Sequence, residues 1–287
     1  MSGTIRAVAG SFSAEVLKLR KRPAIWVLVG VVLLLTQVFG YILPYSSYAT
    51  GGENNQTQGV DPQQVLAGVL PGELVPSSLG GYPIFAGALA LVLGALVAGS
   101  DYGWGTMQTA LTQRPTRLAL YGGKLLALAA VALTVVLATF AVNAVVAGAI
   151  AAAESKPLDF PSAAALARGI GSGWLIIGMW SGFGALLGFA FRSVALPIGL
   201  GVVWVLGVEN LISGVADSLL TALRPLRDLL PGVNAGSLVW SLGPGTGEAA
   251  PGVVDAVSGT RATVALAVYV AIFAAAGAYL LRRRDVT

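Results

Sequence analysis

Residues 125–153 read LLALAAVALTVVLATFAVNAVVAGAIAAA, a run without charge that only Asn143 interrupts. A bilayer core about 30 Å thick needs roughly 20 apolar residues of helix to cross it, and this run exceeds that. Comparable runs recur at 24–43, 81–100, 170–191, 194–212 and 262–281. Glu209, near the end of the 194–212 run, is the one charge inside any of them. The pattern predicts an all-α polytopic membrane protein with six transmembrane helices in a single transmembrane domain, 1–287. Composition agrees. The chain has 287 residues, 56% of them hydrophobic and 10% charged, with mean hydropathy +0.80, whereas a soluble domain carries about 25% charged residues. The 38 glycines fit close packing of membrane helices.

An even number of spans puts both termini on one side, and lysine and arginine decide which. Arg6, Lys18, Arg20, Lys21 and Arg22 precede the first span. Arg114, Arg117 and Lys124 lie between the second and third, Arg192 between the fourth and fifth, and Arg282, Arg283 and Arg284 in the tail. These are most of the 17 basic residues, while of the 13 acids only Glu15, Asp101 and Asp285 share their side. Both termini are therefore expected in the cytoplasm. Tyr41, Tyr45, Tyr48 and Tyr82 then form an outer aromatic belt, with Trp26 and Trp104 near the inner interface. A first span this long, preceded by a polar stretch, does not read as a cleavable signal.

Ahead of the first span, Ile5, Val8, Phe12, Val16 and Leu19 repeat with helical period. The segment 4–22 is expected to lie in the interface, apolar face to the lipid, with Glu15, Lys18, Arg20 and Arg22 at its polar end. Pro23 suits the first turn of the next helix. Residues 44–80 read as loop as far as Asp61, which with Pro62 reads as a helix start. In 213–260, Val215, Leu219, Leu220, Leu223, Leu226 and Leu230 make an apolar face too charged to span, and 233–259 looks like loop. Span two carries small residues at Gly87, Ala90, Gly94 and Ala98, and span four carries Gly178, Gly182, Gly184, Ala185 and Gly188. Such faces let helices approach closely, either within this chain or against a second copy.

Cysteine and histidine are absent, which removes disulfides, thiolate nucleophiles, Cys/His metal sites and Ser-His-Asp triads. Gly122-Gly123-Lys124-Leu125 lacks the first glycine and the hydroxyl of a phosphate-binding loop. Its lysine is expected to reach the headgroups. Ser172 lacks the flanking glycines of a nucleophile elbow, and no acidic cluster suits a metal. An enzyme has almost nothing to stand on. The informative stretch is the cytoplasmic loop 101–123, where Met107, Ala110 and Leu111 give a short apolar face. Such a helix can lie on the membrane or dock into a partner, since both bury the same stripe.

This loop resembles the coupling-helix loop of ABC-2-type permeases, the membrane subunits of type V ABC exporters. Asp101, Tyr102, Gly105, Thr106, Leu111, Pro115, Arg117 and Lys124 follow the family's order. Glu15, Lys18, Lys21 and Pro23 resemble its Glu-x-x-Lys approach to span one, and Tyr279 to Val286 its tail. Gln108 departs from the pattern, standing where a base is common.

The resemblance implies a permease that forms the substrate path with a second copy or a paralogue. Separate ABC ATPase subunits would bind ATP and Mg, with no cofactor on this chain. It implies that Asp101, Tyr102, Gly105, Thr106, Met107, Leu111, Arg114 and Arg117 serve ATPase coupling. The 4–22 helix would brace the ATPase against membrane lipids, and 213–260 would form an outer gate. It also implies a bacterial cytoplasmic membrane, with an amphipathic or hydrophobic substrate and no nucleic-acid partner. The Ala/Gly/Val-rich, lysine-poor usage points to a GC-rich bacterium.

Candidate path or gate residues are Gln37, Asn143, Glu209 and Asn210. Counted from Val194 at ~1.5 Å per residue, Glu209 stands roughly 22 Å up a core of about 30 Å. It is either a gate group or, the expectation preferred here, a headgroup contact where the span ends. Gln37 and Asn143 either line the path or hydrogen-bond between helices. Trp174, Met179 and Trp180 are expected to pack toward lipid rather than to form a substrate surface. The rival readings are a secondary transporter, which would have only Glu209 as a coupling site, and a non-transporting scaffold or sensor subunit.

Overall fold

The computed structural model describes residues 2–52, 57–103, 116–218, 220–243, 245 and 250–283. Among these the chain is helical and has no strand. An amphipathic helix, Ser2–Lys21, precedes six helices long and apolar enough to cross a membrane: Pro23–Thr50, Pro71–Tyr102, Arg117–Ala153, Ala163–Phe191, Ala195–Ala216 and Gly259–Arg283. These are spans 1 to 6 below.

Local chemistry sets their ends. Arg22 is extended, and Pro23 opens span 1 where a missing N–H costs nothing. The side chain of Thr116 accepts from the Ala119 N–H, and that of Ser162 from the Ala165 N–H, capping spans 3 and 4. Asp61 caps the short helix Pro62–Gly68 by accepting from the Gln63 N–H at 2.7 Å. Span 4 stops at Arg192, which takes up the left-handed conformation at φ 51° and turns the chain into span 5.

Span 1 continues well past Pro44, where the sequence reads as loop, and ends only at Thr50 before the left-handed Gly51. A proline inside a helix removes one backbone hydrogen bond and crowds the carbonyl four residues earlier. Here a π turn at Val38–Ile42 precedes it and resets the bonding ladder. Span 2 contains a second π turn at Tyr82–Ala86, around Pro83, and span 5 a third at Trp204–Val208.

Span 2 is the central post. About 72% of its apolar window is buried, against 17% for spans 1 and 6 and 22% for span 5, so the last three turn most of their surface outward. The small face of span 2 meets span 4 of the same chain. A Cβ at Gly94 would collide with the backbone of Ser181 and Ala185, and one at Gly184 with the backbone of Leu91 and Ala95. At Gly188 it would meet Ala98. Gly178 and Gly182 face elsewhere, Gly178 into open space.

The 213–260 segment is more ordered than its sequence suggests. Beyond span 5 a single helical turn, Arg224–Arg227, leads to a helix at Pro231–Trp240. Val233 through Val239 are all buried in that helix. It inserts between the start of span 2 and span 6, so close to the returning chain that a Cβ on Gly236 would strike the Gly252 carbonyl. The stretch lacks an amphipathic stripe because it is buried on all sides, which is why its sequence passes for loop.

Candidate functional site

The basic end of the bundle, where the amphipathic helix and the flanks of the 104–115 segment meet, holds the densest polar cluster among the described residues. Glu15 and Lys18 come from the amphipathic helix, Asp101 from the end of span 2 and Lys124 from span 3. Lys124 is 2% exposed, Glu15 5% and Asp101 4%. A buried ammonium is tolerated only when each of its three N–H groups finds an acceptor. The Lys124 Nζ finds three: Glu15 Oε1 at 3.0 Å, Val97 O at 3.1 Å and Asp101 Oδ2 at 2.5 Å. Lys18, more exposed, bonds the same two carboxylates, Glu15 at 2.6 Å and Asp101 at 3.2 Å. Two acids and two bases leave the cluster neutral.

Packing and further bonds reinforce it. Arg22 donates to Ser100 Oγ at 2.8 Å, and Arg117 donates to the Leu281 carbonyl at 3.4 Å, tying span 3 to span 6. Phe12, Val16 and Leu19 pack with Tyr102, Tyr121, Leu125 and Leu128. A Cβ on Gly123 would collide with Ser11 and the Phe12 backbone.

Two expectations change here. The stripe at Phe12, Val16 and Leu19 faces protein rather than lipid, while Ile5 stays exposed. Lys124 does not snorkel to headgroups, because two carboxylates inside the protein hold it. The arrangement joins both flanks of the 104–115 segment, Asp101 and Tyr102 before it and Lys124 after it, to the amphipathic helix in one block, while Arg117 ties the start of span 3 to span 6. Arg20 lies outside the cluster with its side chain exposed, its carbonyl accepting from the Trp26 indole at 2.9 Å. Gly105, Thr106, Met107, Leu111 and Arg114 lie outside the described residues.

The family model for "ABC-2 family transporter protein" matches residues 11–286. The chain belongs to the ABC-2 transporter family. No curated protein matches it. An ABC-2 membrane protein with several spans is consistent with a transporter permease rather than a catalytic subunit, and proteins of this family normally work with ABC ATPase partners.

The remaining predicted residues sit toward the opposite end. Gln37 Nε2 donates to Asn143 Oδ1, and Asn143 Nδ2 donates to Ser78 Oγ at 2.9 Å, so one amide chain links spans 1, 3 and 2. Asn143 is fully buried.

Glu209 is 4% exposed and bonded inside the protein, which departs from the expected place among headgroups. Its Oε1 accepts from the Trp204 indole at 2.6 Å and its Oε2 from the Gly232 N–H at 2.7 Å. The second bond puts the carboxylate at the N-terminus of Pro231–Trp240, where a negative charge meets unpaired N–H groups and the positive end of the helix dipole. Glu209 thus latches span 5 to the buried helix Pro231–Trp240. Asn210 bonds the Val205 and Leu206 carbonyls of its own π turn. Met179 and Trp180 are fully buried in the core rather than turned to lipid, whereas Trp174 is 44% exposed.

The sequence did not single out Lys124 as a cluster member, or Ser78 and Gly232 as partners. A signal for the first was present: a lysine and an aspartate bracket the informative loop, and a Glu-x-x-Lys pair stands on the preceding helix.

Proposed function

We propose that this chain is the membrane-spanning permease subunit of an ATP-driven exporter in a bacterial cytoplasmic membrane, with both termini in the cytoplasm. It forms the substrate path as a dimer with a second copy or a paralogue. Separate ABC ATPase subunits, which carry the ATP and Mg, drive it through residues 101–117. Its substrate is amphipathic or hydrophobic, since the spans offer few polar groups outside the internally bonded clusters. The observation that carries the reading is the buried cluster of Glu15, Lys18, Asp101 and Lys124. It makes one rigid unit of the amphipathic helix and the roots of the 104–115 segment, so a push on that segment passes directly into spans 2 and 3. The asymmetry of lysine and arginine supports the orientation.

The test is gentle purification from native membranes with identification of the bound proteins. An ATPase bearing a phosphate-binding loop should accompany the wild type and be lost from the Met107→Glu, Leu111→Glu double variant. A chain that purifies without any ATPase and behaves identically in that variant would refute the coupling role and favour a secondary transporter.

A further inference from the structure

The far half of the bundle contains a cavity of about 620 Å³ between span 1, span 2 and the two segments that cap them. That volume falls in the range of about 300–1,000 Å³ typical of small-molecule sites. Among the described residues its walls carry no charged side chain. Three hydroxyls of those residues reach it, and each is already engaged within the protein. Thr36 donates to the Val32 carbonyl at 2.8 Å, Ser77 donates to the Gly68 carbonyl at 2.8 Å, and Thr57 pairs with Ser47 at 2.7 Å. A cavity lined mainly by apolar side chains, with its hydroxyls already engaged, favours apolar matter over water.

Two further features mark it as built. The π turns of spans 1 and 2 both lie in its wall, contributing Phe39 and Gly40 from one and Phe85 and Ala86 from the other. Turns of this kind are frequent at functional sites. Phe39 and Phe85 stack at 6.1 Å with their rings nearly parallel. They are 43% and 39% exposed, which places them at the cavity's edge on the outward faces of two membrane-spanning helices.

We infer that this cavity is a binding site for the acyl chain of a bilayer lipid, admitted sideways between spans 1 and 2 past the Phe39–Phe85 pair. The lipid headgroup stays at the membrane surface, outside the uncharged walls. The inference goes beyond the transporter reading and stands without it, because binding is read on this chain with neither ATPase nor ATP present.

The test uses the full chain in liposomes of phosphatidylethanolamine and phosphatidylglycerol, doped with a phospholipid carrying a diazirine near the end of its acyl chain. After irradiation, labelled residues are mapped by mass spectrometry. Label should concentrate on the span 1 and span 2 residues around Phe39, Phe85 and Leu89. The outward residues Val264, Val268 and Ile272 of span 6 report ordinary contact with surrounding lipid.

Gly81 lines the cavity, its backbone suits any residue, and a Cβ there meets nothing within 4 Å. Gly81→Phe should therefore fill the space and lower the cavity label about tenfold, the change that accompanies a modest loss of affinity. Gly81→Ala should keep it. Label no denser at the cavity than on span 6 would overturn the inference. So would undiminished label in a folded Gly81→Phe chain. Should that variant fail to fold, the wild-type distribution alone decides.

Discussion

The two ends of the bundle solve the problem of burying polar groups in opposite ways. At the basic end, four charged side chains from three segments neutralise one another, and every N–H of Lys124 is satisfied. At the far end, single groups pair: Gln37 with Asn143 and Glu209 with Gly232 across helices, and Glu209 with Trp204 within span 5. The cavity beside them is apolar, and Gln37 Oε1 is buried without a hydrogen-bond partner among the described residues. The first arrangement is all-or-none, since removal of any member leaves a buried charge exposed to its like. The second is a set of separate links that can break one at a time. Under the proposed function this division would give a stiff input at one end and a compliant region for ligand at the other.

The sharpest way to break the comparison is Lys124→Met. It leaves Glu15 and Asp101 buried with only Lys18 between them, and losing one partner of a buried ion pair costs about 3–5 kcal/mol. The thermal transition of the purified chain should fall steeply, and adding Asp101→Asn should restore part of the loss. A weaker effect is expected at Glu209→Ala, which orphans the Gly232 N–H and the Trp204 indole. Hydrogen bonds to a charged group contribute about 1.5–3 kcal/mol. Here the loss should be local, read as faster amide exchange across Pro231–Trp240 with the basic end unchanged. The smallest effect belongs to Asn143→Leu, since hydrogen bonds between membrane helices average about 0.6 kcal/mol. A drop as large as that of Lys124→Met would erase the distinction between the two ends.

How far the sequence could be read depended on how local each signal was. The six spans were legible because a long apolar run is written along one stretch of chain. Asp61-Pro62 was legible for the same reason, as a cap and its first helical residue are neighbours. The continuation of span 1 through Pro44 was not, since it depends on a π turn that leaves no clear mark in composition. The buried helix Pro231–Trp240 was missed because burial on every side erases the periodicity that marks a helix. The small face of span 2 was visible, but its partner, the Gly184 and Gly188 face of span 4, is a three-dimensional fact. Lys124 and Glu209 differ from expectation alike: each sits where a span end would meet headgroups, and each is instead bonded inside the protein by a residue distant in sequence, Lys124 by Glu15 and Glu209 by Gly232.

The central claim is that the 104–115 segment drives the far half through the clamped basic end. The chain contains no cysteine, so a single Gly81→Cys substitution gives a unique thiol facing the cavity. The decisive measurement is the rate at which a membrane-permeant reagent modifies that thiol in native membranes, with and without ATP and Mg. The account predicts a rate that changes on adding ATP and Mg, with the change abolished by Met107→Glu and Leu111→Glu. A rate indifferent to ATP in membranes where the ATPase is bound would contradict it.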